Sequence, residues 1–264
     1  MKMRLFIACF LLWLNSSAQL LSWSPSFIQE TSNTIEITAD ATKGNQGLKD
    51  YTPITDVYVH IGCITTSSTS SSDWKYSKFT WASTNAAANA PQISANKWKY
   101  TITGGLRNFF GITNSTEKVL KIAILFRSGS GNNVLRNADG SDMYIPVYET
   151  GLNVRIDNPF KQPTYNPQPE FVNWTIGNTV SITANASEAS TMKLYYNGTQ
   201  ISTATTVTQI TGSQNITVGG TQQIIAEAVS GSVTKRDTIS FYVAPPSTVQ
   251  DPPVGLKEGI NYEP

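Results

Sequence analysis

Val57-Tyr58-Val59-His60-Ile61 alternates aliphatic with aromatic or polar side chains, the period-2 pattern of a strand with one face buried. Val57, Val59 and Ile61 share the core face. Tyr58 and His60 share the other, about 7 Å apart. The same alternation recurs on either side. Ile35 and Ile37 alternate with Glu36 and Thr38, and Trp98-Lys99-Tyr100-Thr101-Ile102 alternates large apolar with polar. Val119 to Phe126 is almost continuously apolar, which predicts a central strand buried on both faces. Met143 to Tyr148 reads as a closing strand. Turn-rich stretches at 43–47, 67–72 and 128–140 separate these runs. Many short strands divided by turn signals predict a β-sandwich over residues 19–156.

A second module is expected at 171–244. Thr179 to Ala184 alternates, and Met192 to Tyr196 runs into Asn197-Gly198, a strong two-residue hairpin signal. Ile201 to Val207, Gln222 to Val229 and Thr238 to Val243 supply further strands, in the spacing of an immunoglobulin-like or fibronectin-like sandwich. Residues 157–170 carry four prolines and read as an extended linker. The expected fold class is therefore all-β, two tandem antiparallel β-sandwich modules. Lys2 and Arg4, the apolar run Leu5 to Leu14, and small residues at Ser16 and Ala18 predict a cleaved signal peptide over 1–18. The expected location is secreted, periplasmic or cell-surface. No other segment is apolar enough to span a membrane. Residues 245–264 read as a second linker and the entry to a further domain.

Composition narrows the chemistry. Charged residues make up 14% of the chain and the net charge is +1, so no basic surface is expected for nucleic acid. Cys9 falls in the leader, which leaves Cys63 without an intrachain partner, as a small buried hydrophobe. His60 is the one histidine, and no Gly-x-Ser-x-Gly elbow, Walker loop or His-Glu-x-x-His stretch is present. No catalytic residue, cofactor or metal site is assigned. The oxygen-rich Asn137, Asp139, Gly140 and Asp142 lack the full calcium-loop pattern and read as a hydrogen-bonded turn.

The informative constellation is aromatic. Tyr58 and His60 point outward on one strand, and the Ser/Thr-rich loop after it can fold Trp74 back beside them. Flat rings stack on sugar faces by dispersion, and a phenol or imidazole hydrogen-bonds sugar hydroxyls. Trp98 and Tyr100 share a face with Ile102 and read as core; Trp23, Trp81 and Trp174 read as packing.

Val57 to Gly62, the Ser/Thr loop and Asp73-Trp74-Lys75 together resemble the starch-binding modules of carbohydrate-binding families twenty-five and twenty-six. The resemblance implies that Tyr58, His60 and Trp74 stack on α-glucan. Residues 41–48 and 139–142 are similar to the N-terminal module of secreted bacterial α-amylases of the glycoside hydrolase family thirteen type. Residues 257–262 are similar to the sequence that opens the sandwich before their catalytic barrel. The implied function is a non-catalytic α-glucan-binding accessory region, with its catalytic domain in cis beyond Pro264. Those families often carry a Trp in the late loop, where this chain has Gly131-Asn132-Asn133-Val134-Leu135-Arg136-Asn137. That departure implies either a weaker platform or one completed by hydrogen bonds from Arg136 and Asn137. The alternatives are a structural or adhesive surface protein without sugar affinity, and a small hydrolase built on His60.

Overall fold

The computed structural model describes residues 19–167, 169 and 174–245. The expected leader, the strand entry near 255–264 and the start of the second module at 171 lie outside the described residues. The chain divides into two compact units. One takes the chain up to Ser26 with Thr31–Ile145; the other takes Phe27–Glu30 with the chain from Pro146. No helix among the described residues is long and apolar enough to cross a membrane.

The first unit contains two antiparallel sheets. In one, β1 (Leu21–Ser24), β2 (Thr34–Asp40), β4 (Gln92–Ser94) and β5 (Lys97–Thr103) lie in the order β1-β2-β5-β4. The pairs Ile35↔Ile102, Ile37↔Tyr100 and Ala39↔Trp98 turn one face into the core. In the other, β3 (Val57–Thr65) pairs with β6 (Val119–Ser128), to which β7 (Val134–Leu135) and β8 (Met143–Pro146) also pair. Val59↔Phe126, Ile61↔Ile124 and Cys63↔Ile122 fill its inner face. Rings of the first sheet reach the loops that flank β3. Trp98 Nε1 donates to the Ile54 carbonyl at 3.1 Å, and the Tyr100 hydroxyl donates to the Ala87 carbonyl at 3.0 Å. A buried ring that finds an acceptor avoids the cost of an unpaired donor.

The outer face of β6 is buried as well, through Ala123, Leu125 and Arg127. The chain after β3 folds back along the edge of that strand. Cys63 and Lys75 exchange backbone hydrogen bonds at 2.9 and 2.7 Å, and Lys78 N–H donates to Ile61 at 2.9 Å. Gly62 permits that approach, since a Cβ there would lie 3.1 Å from the Lys75 oxygen.

The second unit consists of β9 (Val154–Asn158), β10 (Thr179–Tyr196), β11 (Thr199–Asn215), β12 (Gly220–Ser230) and β13 (Val233–Val243). Asn197 and Gly198 sit at φ 48° and 81°, the type I′ geometry that joins β10 to β11 tightly. The first part of β10 pairs with β9 and the last part with β12, and register breaks separate the two. The β10–β11 ribbon bends there onto itself. Leu194 and Ser202 come against Gly212, and Ser202 Oγ donates to the Thr211 carbonyl at 3.0 Å. One ribbon thus serves both layers of a sandwich, turning the corner where its register slips.

Two sequence expectations are corrected here. A module boundary at 156 would cut β9, whose Ile156 is buried and pairs with Ala184, so this strand belongs to the second unit. Of the expected linker 157–170, the described residues 157–167 do not run free either. Asn158 Nδ2 donates to Ser181 at 2.7 Å, Lys161 is ion-paired with Asp237, and Pro159 and Pro163 are buried. Proline removes a donor, but its ring still packs well in a segment anchored by its neighbours. The closing strand of the first unit ends at Pro146, and Tyr148 N–H donates to Ile28 within the second unit.

Trp98 is fully buried. Trp98→Ala is expected to lower stability by about 3–5 kcal/mol in urea denaturation, through the cavity and the loss of its bond to Ile54.

Candidate functional site

The site forms on the outer face of the β3–β6 pair. Antiparallel register sets Tyr58 opposite Arg127 and His60 opposite Leu125. The returning segment after β3 adds its own rings to that face. Trp74 stacks against His60 with centroids 5.6 Å apart and planes 21° apart. Its indole N–H donates to the Tyr144 hydroxyl at 3.1 Å, and that hydroxyl donates to the Ser71 carbonyl at 2.7 Å. The Tyr76 hydroxyl donates to Glu117 at 2.6 Å and ties the middle of the segment to the chain that enters β6.

Trp81 is the addition that sequence reading missed. It stands edge-on to His60, centroids 5.1 Å apart and planes at 80°, and remains 41% exposed. Its sequence neighbourhood gives no strand alternation to place it. The signal is a second tryptophan, seven residues after Trp74, in a loop already turned back over the sheet. Arg127 lies beneath it, fully buried, with its guanidinium carbon 5.5 Å from the Trp81 ring centre and 5.8 Å from that of Tyr58. Arg127 Nη1 donates to the Ser128 and Gly129 carbonyls at 2.9 and 3.2 Å, and Nη2 donates to Ser83 at 2.7 Å.

His60, Ser72, Trp74, Ser77, Trp81, Leu125, Arg136 and Asp142 line an open cleft of about 450 Å³. Arg136 is ion-paired with Asp142 in its wall, so donors and an acceptor stand side by side with no net charge. Of the residues singled out from sequence, His60, Trp74 and Arg136 meet in this cleft. Tyr58 lies next to it under Arg127, outside the lining. Asn137 turns away. It is 2% exposed, and its amide donates to the Asp142 carbonyl at 2.8 Å and to Ser141 Oγ at 3.2 Å. Those bonds close its own turn, which is the local chemistry asparagine favours.

The cleft offers aromatic rings beside serine hydroxyls and a neutralised ion pair. Among the described residues, no three His, Cys, Asp or Glu side chains gather to hold a metal. His60 Nδ1 is buried with no hydrogen-bond partner. Burial pushes the His60 pKa below its ordinary value of 6.5, and Arg127 adds to that; the Phe79 backbone and Asp142 oppose it.

An imidazole with a lowered folded-state pKa binds fewer protons than the unfolded chain as pH falls below 6.5. Its contribution is intact above that value and is lost as pH drops through the folded-state pKa. Urea midpoints are therefore expected to fall between about pH 7.5 and about pH 5.5, and His60→Gln is expected to flatten that slope. An unchanged slope in the variant contradicts the burial assigned to the chain's one histidine.

No family model matches the chain, and neither does any curated protein. Among solved structures, the fibronectin(III)-like modules of Clostridium thermocellum CbhA align with 84% of this chain and 93% of theirs, at 14% identity and a TM-score of 0.26. The central fibronectin-III array of RIM-binding protein aligns with 87% of this chain and 69% of its own, at 10% identity and a TM-score of 0.24. The BSP domain of a biofilm associated protein aligns with 80% of this chain and 63% of its own, at 10% identity and a TM-score of 0.21. At these values the likenesses assign no ligand and no partner, and the architecture rests on the strand pairing itself.

Proposed function

We propose that the first unit is a non-catalytic module that binds α-linked glucan of the starch and glycogen type, within an exported protein. The observation that carries this reading is the angle between its two indoles. Trp74 lies 21° from the His60 plane and Trp81 lies 80° from it, so the indoles are inclined to each other by at least the difference, 59°. A β-1,4-linked chain is a flat ribbon and stacks best on coplanar rings. An α-1,4-linked chain turns as it runs, and successive sugar faces meet rings set at an angle. The Arg136–Asp142 pair and Ser72 and Ser77 line the same cleft and offer partners for sugar hydroxyls. Trp81 supplies a ring that the late loop, 131–137, lacks.

In this reading the second unit is a spacer, and the resemblance of residues 257–262 to an amylase segment suggests a catalytic domain further along the chain. Holding substrate beside a tethered catalyst raises its effective concentration.

Native electrophoresis in gels containing soluble starch or hydroxyethyl cellulose tests the reading. Starch is expected to retard the chain and hydroxyethyl cellulose is not. Trp74→Ala and Trp81→Ala are each expected to remove most of the retardation, since one ring contact is worth about 0.5–1.5 kcal/mol and the contacts are few. Equal retardation by both polymers refutes selection by curvature. No retardation by either leaves the adhesive or structural role.

A further inference from the structure

Trp81 is an exposed ring that does not rest on other apolar side chains alone. Below it, the Arg127 guanidinium lies 5.5 Å from the ring centre. At its pyrrole edge lies Gly131, in the left-handed region at φ +77°, where a Cβ would stand 2.7 Å from the indole nitrogen and 3.1 Å from Cε2. The indole therefore occupies space that exists because residue 131 has no side chain.

Arg127 sits at a cost. A fully buried guanidinium must recover its lost hydration from acceptors, and its Nε has no partner. Its two terminal nitrogens instead gather the carbonyls of Ser83, Ser128 and Gly129, from the loop that carries Trp81 and from the end of β6. Lysine offers a single point of charge and cannot span those three acceptors. The arrangement fixes the backbone on one side of Trp81 while its ring lies over the same guanidinium. A ring held in its binding orientation before the ligand arrives spares the ordering cost that a free indole pays on binding.

We infer that Arg127 and Gly131 are positioning residues that hold Trp81 in place for glycan stacking. The inference deepens the α-glucan reading and rests on it. Neither residue is among the cleft-lining groups, so each acts on the ligand through the indole.

Calorimetric titration of the full chain with maltoheptaose separates the possibilities. Gly131→Ala is expected to weaken binding roughly five- to tenfold, as Trp81→Ala does. The double variant is expected to bind no more weakly than Trp81→Ala alone, because the glycine acts only through the ring. Gly111→Ala is the control for backbone strain: its φ is +73° and its Cβ position is open, so it is expected to bind like the parent. Arg127→Lys, with folding checked by circular dichroism, is expected to weaken binding in the parent and to add nothing in the Trp81→Ala background. Gly131→Ala binding like the parent, or losses that add in full across the double variant, overturn the inference. A parent chain that does not bind maltoheptaose overturns the glucan reading itself. Loss in Trp81→Ala without loss in Gly131→Ala overturns the positioning role alone.

Discussion

A guanidinium with no access to water needs acceptors, and the two terminal nitrogens of Arg127 find three backbone carbonyls from two stretches of chain, Ser128 and Gly129 beside it and Ser83 from the returning loop. Its strand position follows from the β3–β6 register, which sets it opposite Tyr58 and two residues along from the Leu125 that faces His60. The chain that returns after β3 must then close over this charge, and closure brings two tryptophans onto one face. Asp56 supports the same corner: its carboxylate accepts from the Tyr51 hydroxyl at 2.8 Å and from Gly129 N–H at 3.2 Å. The exposed rings of the site are thus held from beneath by polar chemistry, while the core on the opposite face of the same strands is held by aliphatic packing.

The second unit meets a different constraint with comparable means. A ribbon of 18 and 17 residues in β10 and β11 is too long for one flat sheet of this size, and it bends where its register slips. Even-numbered residues of β10, from Val180 to Ala186 and from Met192 to Tyr196, stay on the core side through the bend. Asp237 then joins the layers, accepting from Ile156 N–H at 2.7 Å and pairing with Lys161. That carboxylate explains why the proline-containing segment around Lys161 is held against the unit.

Local alternation made much of the fold legible. The parity of Val57 to Ile61 assigns core and outer faces as the structure has them, and Asn197-Gly198 marks the hairpin between β10 and β11. Where the sequence misleads, the deciding interaction is distant or depends on turn chemistry. Ile156 looks like the end of one module, yet its partner Ala184 lies beyond the proline-containing segment. The prolines of 157–170 suggest exposure, but Pro159 and Pro163 are buried, which composition cannot show. Of the site, His60 and Trp74 come together as the alternation and the following loop imply. Asn137 is lost to its own turn, and Trp81 is invisible because its place depends on Arg127 and Gly131, both distant in sequence.

The account depends on two inclined indoles forming the contact surface for a curved glycan. Crystals of the chain soaked with maltoheptaose test this directly. The account predicts sugar rings lying on Trp74 and Trp81, with hydroxyls within hydrogen-bond reach of Arg136 or Asp142. Sugar bound elsewhere on the chain while this cleft stays empty would contradict it.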